Sequence, residues 1–411
     1  MTFRPASRLS AIRSFQVMDL VDRAQALERA GRDVVHMEVG EPDFPSADPI
    51  RAAGAEAIAA GVTGYTSALG APELRRALSD YYARWHRVAV PPERIVVTAG
   101  ATGALVLLAA LLVEPGDRVL MTDPGYPCNR HFPQLVGGEA KSVPVGPAQD
   151  WQLDPERLAR HWDDRTRGLH LASPANPTGA VLARSTLRHL LEAVRDRDGW
   201  TIVDEIYQGL TYPAALTELP AGARHGDAAP DRVGTVLSIV DDPEAPVFVV
   251  NSFSKYFGMT GWRVGWLVAP EAAVPELGKL AQNFYIAPST IGQHAAVAAL
   301  GNEAMAVHEH RRRAFCERRN VLVAGLRDLG LAVPRIPEGA FYVHAELPEG
   351  CEDSFTFCRR LLETHGVAAT PGTDFGVHGA DRHVRFAYTA GVDRIRAALA
   401  RLGTALAERA A

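Results

Sequence analysis

The stretch Asn251-Ser252-Phe253-Ser254-Lys255-Tyr256-Phe257-Gly258-Met259-Thr260-Gly261-Trp262-Arg263-Val264-Gly265-Trp266 decides how this chain is read. It follows residues 247–250, an apolar run of the kind that forms a buried strand. An ordinary lysine solvates a loop or a polar helix face; Lys255 instead sits among hydroxyls, glycines and one arginine. An amine confined in such a place has its pKa lowered and can form a Schiff base with an aldehyde. Ser252, Ser254 and Arg263 supply donors suited to a phosphate dianion. Only Lys141, Lys255 and Lys279 are lysines, so amine chemistry has few other places to occur.

Three further loops bear on the same chemistry. Val203-Asp204-Glu205-Ile206-Tyr207 ends another apolar run and sets a carboxylate at a strand's C-terminal edge, where open α/β sheets hold their ligands. A buried carboxylate there needs a cation or a hydrogen-bonded partner, though read alone the pair could cap a helix. Ser173-Pro174-Ala175-Asn176-Pro177-Thr178-Gly179, by itself, is only a turn. Thr98-Ala99-Gly100-Ala101-Thr102-Gly103-Ala104-Leu105 opens an apolar helix whose free N–H groups and dipole suit a phosphate, although small residues there also permit close packing. It has neither the GxxxxGK[ST] nor the GxGxxG spacing. An amide, a carboxylate and a lysine arriving in order on strand-end loops are hard to assign to packing alone.

Apolar runs at 95–98, 119–122, 168–172, 201–203, 247–250 and 264–268 alternate with helical patterns. That alternation predicts an α/β unit with a mostly parallel central sheet flanked by helices. Beyond Gln293 the pattern changes to a long helix over 311–329, a strand at 341–344, a helix at 354–365 and a strand at 383–388, a smaller α+β unit. Near the start, Val17, Leu20, Val21, Ala24 and Leu27 fall at helical spacing, with a strand expected at 34–39. The expected division is an N-terminal segment, 1–48, packing with the small domain, a large domain, 49–292, and a small C-terminal domain, 293–411. Residues 213–246, rich in Ala, Pro, Gly and Asp, read as a surface excursion between two core strands.

The composition narrows the partners. Among 411 residues, 43 Lys+Arg face 48 Asp+Glu, a net charge of −5 without a block of like charge, so neither nucleic acid nor a membrane surface is expected as a partner. No signal-type apolar stretch opens the chain, so a cytoplasmic location is expected. Cys128, Cys316, Cys351 and Cys358 form no CxxC pair, so no metal site and no disulfide frame are expected.

Taken together, the chain resembles the class I/II aminotransferases, the aspartate-aminotransferase-like fold-type-I enzymes that use pyridoxal 5′-phosphate. The resemblance is carried by Glu38-Val39-Gly40-Glu41-Pro42-Asp43-Phe44, Gly64-Tyr65, the Asn176-Pro177-Thr178-Gly179 turn, Asp204-Glu205-Ile206-Tyr207, the Ser252 to Gly265 segment and Val384-Arg385-Phe386. It implies that Lys255 is the catalytic amine, forming the internal aldimine and shuttling a proton between the substrate α-carbon and the cofactor. It implies that Asp204 pairs with the pyridinium nitrogen, that Asn176 and Tyr207 hydrogen-bond the ring 3-oxygen, and that Tyr126 stacks on the ring. Phosphate contacts would come from Gly100, Ala101, Thr102, Ser252, Ser254, Arg263 and, from a neighbouring subunit, Tyr65, which implies a homodimer with shared sites. Arg385 would clamp the substrate α-carboxylate, with Asn176 and the Gly40 N–H assisting, and Asn176-Pro177 would be a cis peptide.

Acidic-substrate members of that family often carry a lysine where Thr102 stands, and some carry a threonine where Gln16 stands. A donor carboxylate without that cation is poorly paired, so a neutral L-amino acid is favoured, with a 2-oxoacid such as pyruvate or 2-oxoglutarate as acceptor and a ping-pong route. The alternatives on the same fold are a lyase, cyclase or decarboxylase, or a non-catalytic cofactor-binding regulator. No second base that would select elimination is visible, and the intact Lys255, Asp204 and Arg385 set speaks for catalysis.

Overall fold

The computed structural model describes residues 3–408 except 13, 220, 221, 225–230 and 233. Among the described residues twelve strands are formed: β1 (Val35–His36), β2 (Ile95–Thr98), β3 (Arg118–Asp123), β4 (Glu139–Pro144), β5 (Thr166–Ala172), β6 (Trp200–Asp204), β7 (Val247–Ser252), β8 (Gly265–Val268), β9 (Tyr342–Glu346), β10 (Val367–Ala368), β11 (Thr370–Pro371) and β12 (His383–Ala387). Seven of them build the central sheet in the order β2-β8-β7-β6-β5-β3-β4. All run parallel except β8, which is antiparallel to both its neighbours.

Strand alternation gives the sheet two apolar faces. Val96, Ile202, Phe248, Val250 and Leu267 pack with the helices Gly100–Leu112 and Val274–Phe284, while Val97, Leu169, Val203 and Val249 join the larger core on the opposite face. A sheet buried on both faces explains why its strands read as continuous apolar runs. The edge strand β4, Glu-Ala-Lys-Ser-Val-Pro, is mostly exposed or half-buried, and nothing in its pattern announced it.

The C-terminal part carries a three-stranded antiparallel sheet, β11-β12-β9, and a helix Asn302–Asp328 that begins nine residues earlier than periodicity predicts. Its first turns carry Glu303 and His308, which masked the apolar stripe. The N-terminal segment joins this part through β1, which pairs in parallel with β10, Val35 opposite Val367. Arg394 and Arg401 of the helix Val392–Ala407 both grip the Asp33 carboxylate. The expected joint at 292 and 293 falls inside the helix Thr290–Ala299.

Residues 213–246 are more than a surface excursion. Arg319 of the long helix donates to the carbonyls of Pro213 and Ala215, and Asn320 to that of Thr217. Farther on, Val236, Leu237 and Ile239 are buried in the main core. The parts of the segment at 220, 221, 225–230 and 233 lie outside the described residues. Among the described residues no helix is long and apolar enough to cross a membrane, and no cluster suited to a metal ion occurs.

Candidate active site

The C-terminal ends of the parallel strands open onto a cavity of about 340 Å³. Lys255, Asp204, Tyr207, Asn176, Tyr126, Arg385, Ser254, Arg263, Ala101, Thr102 and Gly40 all line it, so chain segments hundreds of residues apart converge on one space. Asn176-Pro177 is cis, and so are Asp123-Pro124 and Ser173-Pro174.

The phosphate-type end is built from close backbone approaches. Gly100 takes φ +70°, and a Cβ there would meet Arg263 Nη2 at 2.5 Å. A Cβ on Gly265 would lie 2.6 Å from the Gly100 carbonyl carbon and 2.9 Å from the Ala101 nitrogen, so β8 can lie against the turn only as glycine. Arg263 itself adopts φ +54°, and its Nη1 donates to Thr260 O at 2.9 Å. Ser252 does not line the cavity: its hydroxyl donates to Val264 O at 3.1 Å and sits 2.9 Å from that of Ser254, supporting the turn from behind. Gly100 is likewise absent from the wall. Tyr65 is 86% exposed and lies away from this chain's own cavity.

At the opposite end, Asp204 is 6% exposed. Its Oδ1 accepts from Ile206 N at 3.0 Å, and no cation among the described residues lies within ion-pair distance. Burial raises its pKa to about 6, against the pull of the Ile206 N–H and of Lys255. Lys255 Nζ donates to Gly40 O at 2.7 Å. Its pKa falls to about 8, chiefly by burial and further through Arg385 and Arg263, with Glu41 and Asp204 opposing.

Arg385 is 5% exposed and has no carboxylate partner among the described residues. Its Nη1 donates to Asn176 Oδ1 at 3.0 Å, its Nη2 to Thr370 Oγ1 at 3.1 Å and to Glu38 O, and its buried Nε has no partner among the described residues. The guanidinium lies between the rings of Tyr342 and Phe375, at 4.3 Å and 4.6 Å from their centroids. A buried cation without an anionic partner is costly, and among the described residues none is supplied.

Several wall residues escaped the sequence reading. Tyr342 bonds Tyr207 through their hydroxyls at 2.9 Å and presses so close to Gly40 that a Cβ there would be 1.7 Å from its oxygen. Asp374 accepts from Gln16 N and Val17 N, both at 2.8 Å, and so caps the first helix. Phe15, Val17, Met18, Val21, Leu105 and Phe132 make the remaining wall apolar. Gln16 does not face the cavity; its Oε1 accepts from Thr373 at 2.6 Å.

The residues present fit a pyridine ring carrying a phosphate ester: an uncompensated buried carboxylate at one end, and at the other a helix start with Ser254 and Arg263. Residues 32–402 match the family model for aminotransferase class I and II, and the chain belongs to that family. It is an aminotransferase with the α/β fold of the fold-type-I enzymes. The valine–pyruvate aminotransferase of Mycobacterium tuberculosis is 36% identical over 404 residues, covering 98% of this chain and 99% of that one. The aspartate/prephenate aminotransferase of Thermus thermophilus is 34% identical over 401 residues, covering 97% and 98%. The crystal structure of an aminotransferase from M. tuberculosis superposes with a TM-score of 0.89 at 36% identity, covering 99% of this chain and 100% of that one.

Proposed function

We propose that this aminotransferase uses pyridoxal 5′-phosphate to move the amino group of a neutral L-amino acid to a 2-oxoacid. The observation that carries the reading is the convergence, in one cavity, of a low-pKa amine, an uncompensated carboxylate and an arginine without an anion. When bound, the cofactor supplies an electrophilic carbonyl and an electron sink for the α-carbon. Asp204 holds a proton on the ring nitrogen, which restores the charge partner that burial denies it. Asn176, whose Oδ1 is taken by Arg385, turns its Nδ2 toward the ring 3-oxygen or the substrate carboxylate; Tyr207, backed by Tyr342, donates to the same ring oxygen.

Ala101, Thr102, Ser254 and Arg263 hold the phosphate, with Gly100 and Ser252 shaping the turn. Tyr126 covers the ring from the cavity mouth. Tyr65, exposed here, reaches the phosphate of a second copy, so the working unit is a homodimer with shared sites. Arg385 grips the α-carboxylate of donor and acceptor alike, which makes the two half-reactions share one site in ping-pong order. Lys255 takes the α-proton and returns it to the cofactor's carbonyl carbon.

The donor is neutral because the cavity's cations among the described residues, Lys255, Arg263 and Arg385, are already committed, and the wall at Phe15, Val17, Met18 and Val21 is apolar. The name of the valine–pyruvate relative supports this choice, and pyruvate or 2-oxoglutarate is the expected acceptor. An absorbance scan with each amino acid, and no keto acid, tests it. Conversion of the cofactor band to that of its amine form by apolar donors is expected. Ammonia release with the original band restored would overturn transamination in favour of elimination.

A further inference from the structure

The segment 36–40 carries both functional cations on its backbone: Glu38 O accepts from Arg385 and Gly40 O from Lys255. The Glu38 side chain, which the proposed chemistry leaves unused, is fully buried, and its Oε2 has no partner among the described residues. Its Oε1 meets His36 Nδ1 at 2.7 Å, while His36 Nε2 faces Glu28 Oε1 at 3.1 Å on the helix Gln16–Arg29. An imidazole with a carboxylate at each nitrogen donates from both and is an imidazolium. A buried carboxylate with one bare oxygen depends on that charge, since without it the segment must shift to reach water.

We propose that His36 is a positioning residue for Arg385: the imidazolium balances Glu38, and so fixes the Glu38 carbonyl that aims the guanidinium at a substrate carboxylate. This rests on the reading of Arg385 as the carboxylate clamp. The charged groups around His36 are Glu38 on its own segment, Glu28 on the first helix, and, beyond Glu28, Arg394 on the helix Val392–Ala407, itself paired with Asp33. The facing strand β10 brings only Val367 and Ala368. Glu38 first, then burial in opposition, move the His36 pKa up to about 9. A raised base keeps its stabilising charge below that value and loses it as pH rises through it.

The test is the dissociation constant of 3-methylbutanoate, a carboxylate without an amine, for the holoenzyme by titration calorimetry from pH 7 to 10. His36→Gln is expected to bind it about fivefold or more weakly at pH 7, with the cofactor spectrum unchanged. Wild type should weaken as pH passes 9, and His36→Gln should lack that extra step. Any titration of the cofactor-linked Lys255 nitrogen is common to both proteins, so the difference between them reads His36. Glu38→Gln, which needs no balancing charge, should also lose the step. Wild-type affinity and pH profile in His36→Gln would overturn the proposal, as would a persisting step in Glu38→Gln should His36→Gln fail to fold. Arg385→Ala separates the two readings: if it binds the carboxylate as wild type does, the clamp itself is wrong.

Discussion

Removing the charge of Asp204 should have opposite effects on the protein with and without its cofactor. A carboxyl whose pKa rises from 3.8 to about 6 is harder to ionise folded than unfolded. At about 1.4 kcal/mol per pH unit, the ionised group costs the cofactor-free fold about 3 kcal/mol above pH 6. Because the folded value is the higher one, the cost is absent well below pH 3.8 and complete only above 6. Asp204→Asn keeps the acceptor for the Ile206 N–H and has no charge to bury. The cofactor-free variant should therefore be more stable than wild type by about 3 kcal/mol at pH 8 and by less than about 1 kcal/mol at pH 4. Urea unfolding of both proteins, at one protein concentration, reads this directly. The same variant should bind pyridoxal 5′-phosphate more weakly, as an amide gives no charge to a protonated ring nitrogen. A stability gain equal at both pH values, or no gain at pH 8, would refute the argument that Asp204 waits in the fold as an uncompensated charge.

Other outcomes follow from the same cavity. Lys255→Ala should abolish turnover in steady-state assays while the protein still takes up cofactor. Arg385→Ala should raise KM for donor and acceptor together, by about a hundredfold for the loss of two charge-assisted hydrogen bonds, with the cofactor spectrum intact. Gly40→Ala should displace Tyr342, whose oxygen would lie 1.7 Å from the new Cβ, and lower both thermal stability and carboxylate affinity. Tyr342→Phe removes the hydroxyl bonded to Tyr207 and should shift the pH at which the bound cofactor's absorbance changes, without preventing binding.

The central sheet was legible because strands buried on both faces must be apolar at every position; Ile95–Thr98 needed no adjustment, and β6 and β7 moved by only a residue or two at their ends. β4 was not legible, since one of its edges is unpaired and it carries Glu139, Lys141 and Ser142. The lysine, carboxylate and amide loops could be found because chemistry restricts their residue types. Tyr342 could not: it sits beside Phe341 in a strand of a core rich in aromatics, and only its distance to Tyr207 and Arg385 separates it from packing. The stripe of the first helix was read as one face. It divides in space, with Leu20, Ala24 and Leu27 entering the core and Val17 and Val21 facing the cavity. Periodicity reports which side is apolar, not what lies opposite it.

The two cations are aimed by main-chain oxygens two residues apart, at Glu38 and Gly40. A substitution on the first helix leaves those carbonyls in place, so the wall made by Phe15, Val17, Met18 and Val21 can be rebuilt for other donors while amine and guanidinium keep their spacing. Deleting or inserting one residue between 38 and 40 would change the spacing of the two carbonyls, and with it that of amine and guanidinium. An engineer changing the donor range of this enzyme therefore has wide freedom in side-chain identity at the first helix and almost none in chain length at the segment that follows it.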